Sequence, residues 1–76
     1  MNTNRRLARD FLNEASLTDF WDVVTEAKIS DSDQQILDLR FVRGMTYTQI
    51  SQRLNISPET VKQTIAKTYE KVSKLI

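Results

Sequence analysis

The sequence of 76 residues contains no cysteine and no histidine, one glycine and one proline. Without cysteine there is no disulfide, no thiolate zinc site and no cysteine nucleophile. Without histidine the commonest catalytic base and the commonest metal ligand are both missing. Asp, Glu, Ser and Lys chemistry remains on paper, but one small core leaves little room for a substrate cleft. No enzymatic activity, metal or cofactor is expected. No apolar run approaches the roughly 20 residues of a membrane span, and no signal-peptide core follows Met1. The expected location is the cytoplasm, with no membrane partner. Repeats, linkers and low-complexity stretches are missing too, and no segment alternates apolar and polar residues over a strand's length.

What is present fits one small globular domain. The chain is 39% hydrophobic and 28% charged, too apolar and too evenly charged for a disordered tail. Its length allows a single domain over 1–76, one that buries only about 60% of its unfolded surface. The net charge of +1 points to no partner, but its distribution is uneven. Over residues 1–30, Arg5, Arg6, Arg9 and Lys28 face Asp10, Glu14, Asp19, Asp22 and Glu26, a balance of −1. Over residues 44–76, Arg53, Lys62, Lys67, Lys71 and Lys74 face only Glu59 and Glu70, a balance of +3. The positive charge sits at the C-terminal end.

Apolar spacing is helical throughout. A weak first pattern joins Leu7, Ala8, Phe11 and Leu12; a stronger second one joins Leu17, Phe20, Trp21 and Val24 at i, i+3, i+4 and i+7. Thr18 or Ser16 caps the second helix. Ser30 opens a third, with Asp31 and Asp33 favourably placed at the positive helix end, and Ile36, Leu37, Leu39, Phe41 and Val42 as its apolar residues. Gly44 is its terminator. Thr46 caps a short fourth helix with Tyr47, Ile50 and Leu54 on one face. Asn55 tolerates positive φ, and Ser57-Pro58-Glu59 is the clearest start signal in the chain: a cap, a proline at N1 and an acid near the helix dipole. The fifth helix is predicted from Pro58 almost to Ile76.

A short helix, a tight turn and a long helix have the proportions of a helix-turn-helix, here spanning 46–75 with a recognition helix over about 58–75. At about 100° per residue, Val61, Ile65, Tyr69, Val72 and Ile76 fall within an arc of about 80°, fit for the core. Opposite lie Glu59, Gln63, Lys67, Glu70 and Lys74. Glu59 can accept from a cytosine amino group, Gln63 can bond an adenine edge, and Lys67 can reach guanine or phosphate. Thr60 and Lys62 flank that face and suit the phosphate backbone. These five are the candidate DNA-binding residues, although any surface helix has a polar back. Lys71 and Lys74 either contact phosphate or offset the helix dipole.

These residues carry a resemblance. From about Val23 to Leu75 the chain resembles region 4 of sigma-70 family factors and the related LuxR-type helix-turn-helix. LRFVRGMTYTQISQRLNISPETVK, Leu39 to Lys62, has the shape the two families share, and ETVKQTIAKTYEKV keeps Glu59, Gln63, Ala66, Lys67 and Lys71 in a pattern very similar to primary sigma factors. The resemblance implies an all-α region 4 fold that binds a −35-like promoter element, with Glu59 and Gln63 as base readers and Lys62 and Lys67 near backbone or bases. Pro58 departs from the pattern, since primary sigma factors often place a DNA-contacting Arg there, so the preferred sequence need not be the usual −35 hexamer. Ser51 and Asn55 replace the commoner Ala and Gly. Nothing resembles region 2, so the chain alone is not expected to melt a promoter.

The expected fold is therefore an all-α bundle of four to five helices containing a helix-turn-helix. The expected function is sequence-specific reading of double-stranded DNA in transcription. A single module seldom binds tightly alone, so a homodimer, RNA polymerase or a second DNA-binding subunit is the expected partner. The alternative is an adaptor that binds RNA polymerase or a sigma factor through the same fold. Residues 1–16 are an N-terminal extension, solvated and partly frayed, in which Arg5, Arg6 and Arg9 could reach phosphate and Leu7 with Phe11 could pack across a dimer. Trp21 is core, or else part of a partner surface.

Overall fold

The computed structural model describes residues 3–75. Five α-helices follow in order: α1 Thr3–Glu14, α2 Leu17–Glu26, α3 Asp31–Leu37, α4 Tyr47–Leu54 and α5 Pro58–Ser73, with a π-helical turn over Asp38–Val42 between α3 and α4. There is no strand among the described residues. The long α5 is the spine, against which α1, α3 and α4 all pack.

The core forms two clusters along α5. Ala8, Leu12, Phe20, Val24, Ile29 and Leu37 gather around Val72 near its C-terminal end. Ile36, Leu39 and Ile50 gather around Val61 and Ile65 in its first half. The neighbours Ile36 and Leu37 thus serve different clusters, while half-buried Phe41 and Tyr69 pack against both. Their rings meet edge-on with centroids 6.3 Å apart.

The first cluster corrects the expectation for residues 1–16. Ala8 is 0% and Leu12 2% exposed, because spacings of three and four residues put Ala8, Phe11, Leu12 and Ala15 on one stripe that α5 and α2 cover. An Arg5–Glu70 ion pair of 3.0 Å joins α1 to α5. Phe11 packs into the chain's own core, while Leu7, 51% exposed, faces outward. Met1, Asn2 and Ile76 lie outside the described residues.

Local signals end and start the helices. Ser16, not Thr18, caps α2, its Oγ accepting the Asp19 N–H at 3.2 Å. Ser30 caps α3 in the same way. The helix α2 ends where Lys28 adopts φ 57°. The Lys28 N–H donates to the Thr25 carbonyl at 3.0 Å and the Ile29 N–H to the Val24 carbonyl at 3.4 Å. This paired arrangement is the Schellman motif, here without its usual glycine.

The expectation of one continuous third helix is also corrected. At about 100° per residue, Ile36, Leu37, Leu39 and Phe41 spread over about 200°, more than one α-helical face can bury. A π turn holds an extra residue, and the Arg43 N–H accordingly reaches back to the Asp38 carbonyl at 3.0 Å. Leu39 and Phe41 then both reach the core, and Val42 turns out to 43% exposure. Gly44 stops the turn as expected, at φ 71°.

Candidate nucleic-acid interface

The site begins at Thr46. Its Oγ1 accepts the Gln49 N–H at 3.1 Å, and the Gln49 side chain accepts the Thr46 N–H at 2.9 Å, a complete capping box that fixes where α4 starts. The helix closes on Asn55 at φ 58° and ψ 45°. The Ile56 N–H returns to the Ser51 carbonyl at 3.0 Å, so α4 and α5 are joined by a turn of three residues, Asn55 to Ser57. Ser57 then caps α5, accepting the Thr60 N–H at 3.1 Å, with Pro58 in its first turn. Buried Ser51 satisfies its hydroxyl on the Thr48 carbonyl at 2.8 Å, so a serine in the middle of α4 leaves the packing intact.

The structure brings all five candidate residues to the surface of one helix: Glu59, Thr60, Lys62, Gln63 and Lys67 are exposed. Val61, Ile65 and Val72 are buried on the other side, and Tyr69 is half-buried. The buried face is wider than the apolar stripe implied, because Thr64 and Thr68 are buried as well. Thr68 donates its hydroxyl to the Thr64 carbonyl at 3.0 Å, which leaves its methyl to the core. A count of apolar positions alone misses such a residue.

Among the described residues, no hydrogen bond or ion pair engages the side chains of Glu59, Lys62, Gln63, Lys67, Lys71 or Lys74. Thr60 differs, its Oγ1 lying 2.9 Å from Ser57 Oγ. Glu70, in the middle of the outward face, is the carboxylate that Arg5 pairs with.

Arg40, which the sequence pattern did not single out, flanks this helix pair. Its guanidinium lies 4.9 Å from the centre of the Tyr47 ring and donates to the Met45 carbonyl at 3.0 Å. The contact spans the Gly44 loop, so no helical periodicity could reveal it. Nearby, burial holds the Tyr69 phenol above its ordinary value of 10.0; Tyr47 and Asp10 push the same way, and Arg40 and Arg9 oppose them. Tyr69 is therefore a neutral hydroxyl at physiological pH.

The family model of sigma-70, region 4 matches residues 27–74. That span takes in α3, the π turn, α4 and α5. The chain belongs to the sigma-70 region 4 family. It is a DNA-binding helix-turn-helix domain of transcription regulation, and region 4 domains bind DNA and RNA polymerase. Comparison with curated proteins and with solved structures yields no match. Helices α1 and α2 precede the matched region 4 residues yet supply much of the first core cluster. No helix among the described residues is long and apolar enough to cross a membrane.

Proposed function

We propose that this region 4 domain is a sequence-specific transcription regulator whose helix α5 enters the major groove of a promoter element such as a −35-like one. The observation that carries the reading is the outward face of α5. Glu59, Gln63 and Lys67 stand exposed and unengaged directly after a capped, left-handed turn that presents the helix N-terminus. Glu59 and Gln63 read base edges, Glu59 by accepting from cytosine and Gln63 by a bidentate bond to adenine. Lys62 and Lys67 meet phosphate or guanine, and the unpaired cations along α5 supply the sequence-independent attraction. Such a domain works where bacterial or phage promoters are, in the cytoplasm, with RNA polymerase, a second DNA-binding subunit or a second copy of itself adding affinity.

Two substitutions test this. Gln63→Ala loses about 1–3 kcal/mol on the preferred duplex and relaxes preference at one base pair. Lys62→Ala weakens all duplexes alike and lowers the salt slope by about 1. If both variants bind as the parent does, α5 is not the reading helix.

One observation favours the adaptor reading. Leu17, 58% exposed, and Val42 rim a groove of about 210 Å³ lined also by Leu12, Phe20 and Phe41. An adaptor would bind a protein there and show little salt-sensitive retention on random DNA or heparin.

A further inference from the structure

Thr60 stands in the first turn of α5, exposed and about 60° around the helix from Gln63. Its hydroxyl oxygen lies 2.9 Å from Ser57 Oγ, the same oxygen that accepts the Thr60 N–H at 3.1 Å. The contact ties the hydroxyl to the helix cap and fixes χ1, which is stiff in a β-branched side chain. What the side chain then has to offer a base edge is its γ-methyl. Thr60 also lines a groove of about 300 Å³ with Ile36, Leu54 and Ile56 and with the polar Ser32, Asp33, Gln35 and Thr64. Its outward neighbours Glu59, Gln63 and Lys67 all end in groups that donate or accept hydrogen bonds. Apolar contact with a base therefore falls to Thr60, and thymine is the base that carries a methyl on its major-groove edge.

We propose that Thr60 is a specificity-determining residue that recognises a thymine through methyl–methyl contact, not a hydroxyl that contacts the phosphate backbone. The inference rests on α5 being the recognition helix. It assigns one base of the site to an apolar contact beside the hydrogen-bonded contacts of Glu59 and Gln63.

The test is a uracil scan. A duplex selected by the full chain from a random pool is remade with each thymine replaced singly by uracil, which removes only the methyl. Affinity is measured for the parent, Thr60→Val and Thr60→Ser. At one position uracil weakens the parent about fourfold, the effect of one buried methyl. Thr60→Val, which keeps a methyl and loses the hydroxyl, retains the discrimination. Thr60→Ser, which keeps the hydroxyl and its bond to Ser57, binds thymine and uracil equally. Thermal melting of both variants separates a lost contact from a lost fold. Discrimination retained by Thr60→Ser, or uracil neutral at every position of a selected duplex, overturns the role of Thr60 and leaves α5 as the reading helix. If the pool yields no preferred duplex, the recognition-helix reading fails and this inference fails with it.

Discussion

Tyr69 shows how one side chain links core, charge and neighbouring elements. Its ring packs against both core clusters, while its hydroxyl is faced by Tyr47 from α4, Arg40 from the π turn, and Arg9 and Asp10 from α1. Burial dominates, so the folded protein holds the phenolic proton more tightly than the unfolded chain does. Stability from this source is intact below the ordinary value of 10.0 and is lost as pH rises through the higher folded value. Tyr69→Phe should therefore flatten the fall in stability on the alkaline side, measured by urea unfolding at neutral pH and above pH 10. An equally steep fall in the variant would place the alkaline sensitivity elsewhere.

At the scale of elements, helix ends divide into those set by local chemistry and those set by packing. Ser57-Pro58, the Thr46 cap, Asn55 and Gly44 were legible in the sequence because each device acts within a few residues of itself. The Gln49 half of the capping box was seen only in the structure. Lys28 was not legible either. A lysine carries no sign of positive φ, and its left-handed conformation is held by Ile29, buried in the first cluster beside Val24. Lys28→Gly should raise stability by about 0.5–1 kcal/mol, since glycine enters that region without the steric penalty. Thr46→Ala should lower it by about 1 kcal/mol through loss of the capping box. Unfolding midpoints check both, and a destabilised Lys28→Gly would mean that the lysine contributes a contact of its own. The π turn was equally hidden, because the pattern of apolar residues shows only that one α-helical face cannot bury Ile36, Leu37, Leu39 and Phe41. How the backbone resolves the conflict depends on α4 and α5. On the candidate site, the outward positions of Glu59, Gln63 and Lys67 followed from periodicity alone, whereas the Ser57–Thr60 contact and the place of Arg40 needed the folded chain.

Across the whole molecule, the two clusters make α5 a shared spine: its first half is held by α3, the π turn and α4, its second half chiefly by α1 and α2. A helix expected to fray therefore supports the helix proposed to read DNA. Leu12→Ala, at a fully packed position, should cost about 2–5 kcal/mol. In a domain of this size that lowers the melting midpoint by roughly 10 °C or more. Leu7→Ala, on the exposed side of the same helix, should change stability by no more than about 0.5 kcal/mol. Equal, small effects would mean that α1 does not support the fold. The other side of the spine, proposed to read DNA, is best probed by selecting bound duplexes from a random pool with the chain at salt on the order of 100 mM. One enriched motif, whose preference at a single base pair disappears in Gln63→Ala, is expected; a pool that stays random, with binding that only fades as salt rises, would mean that α5 does not read sequence.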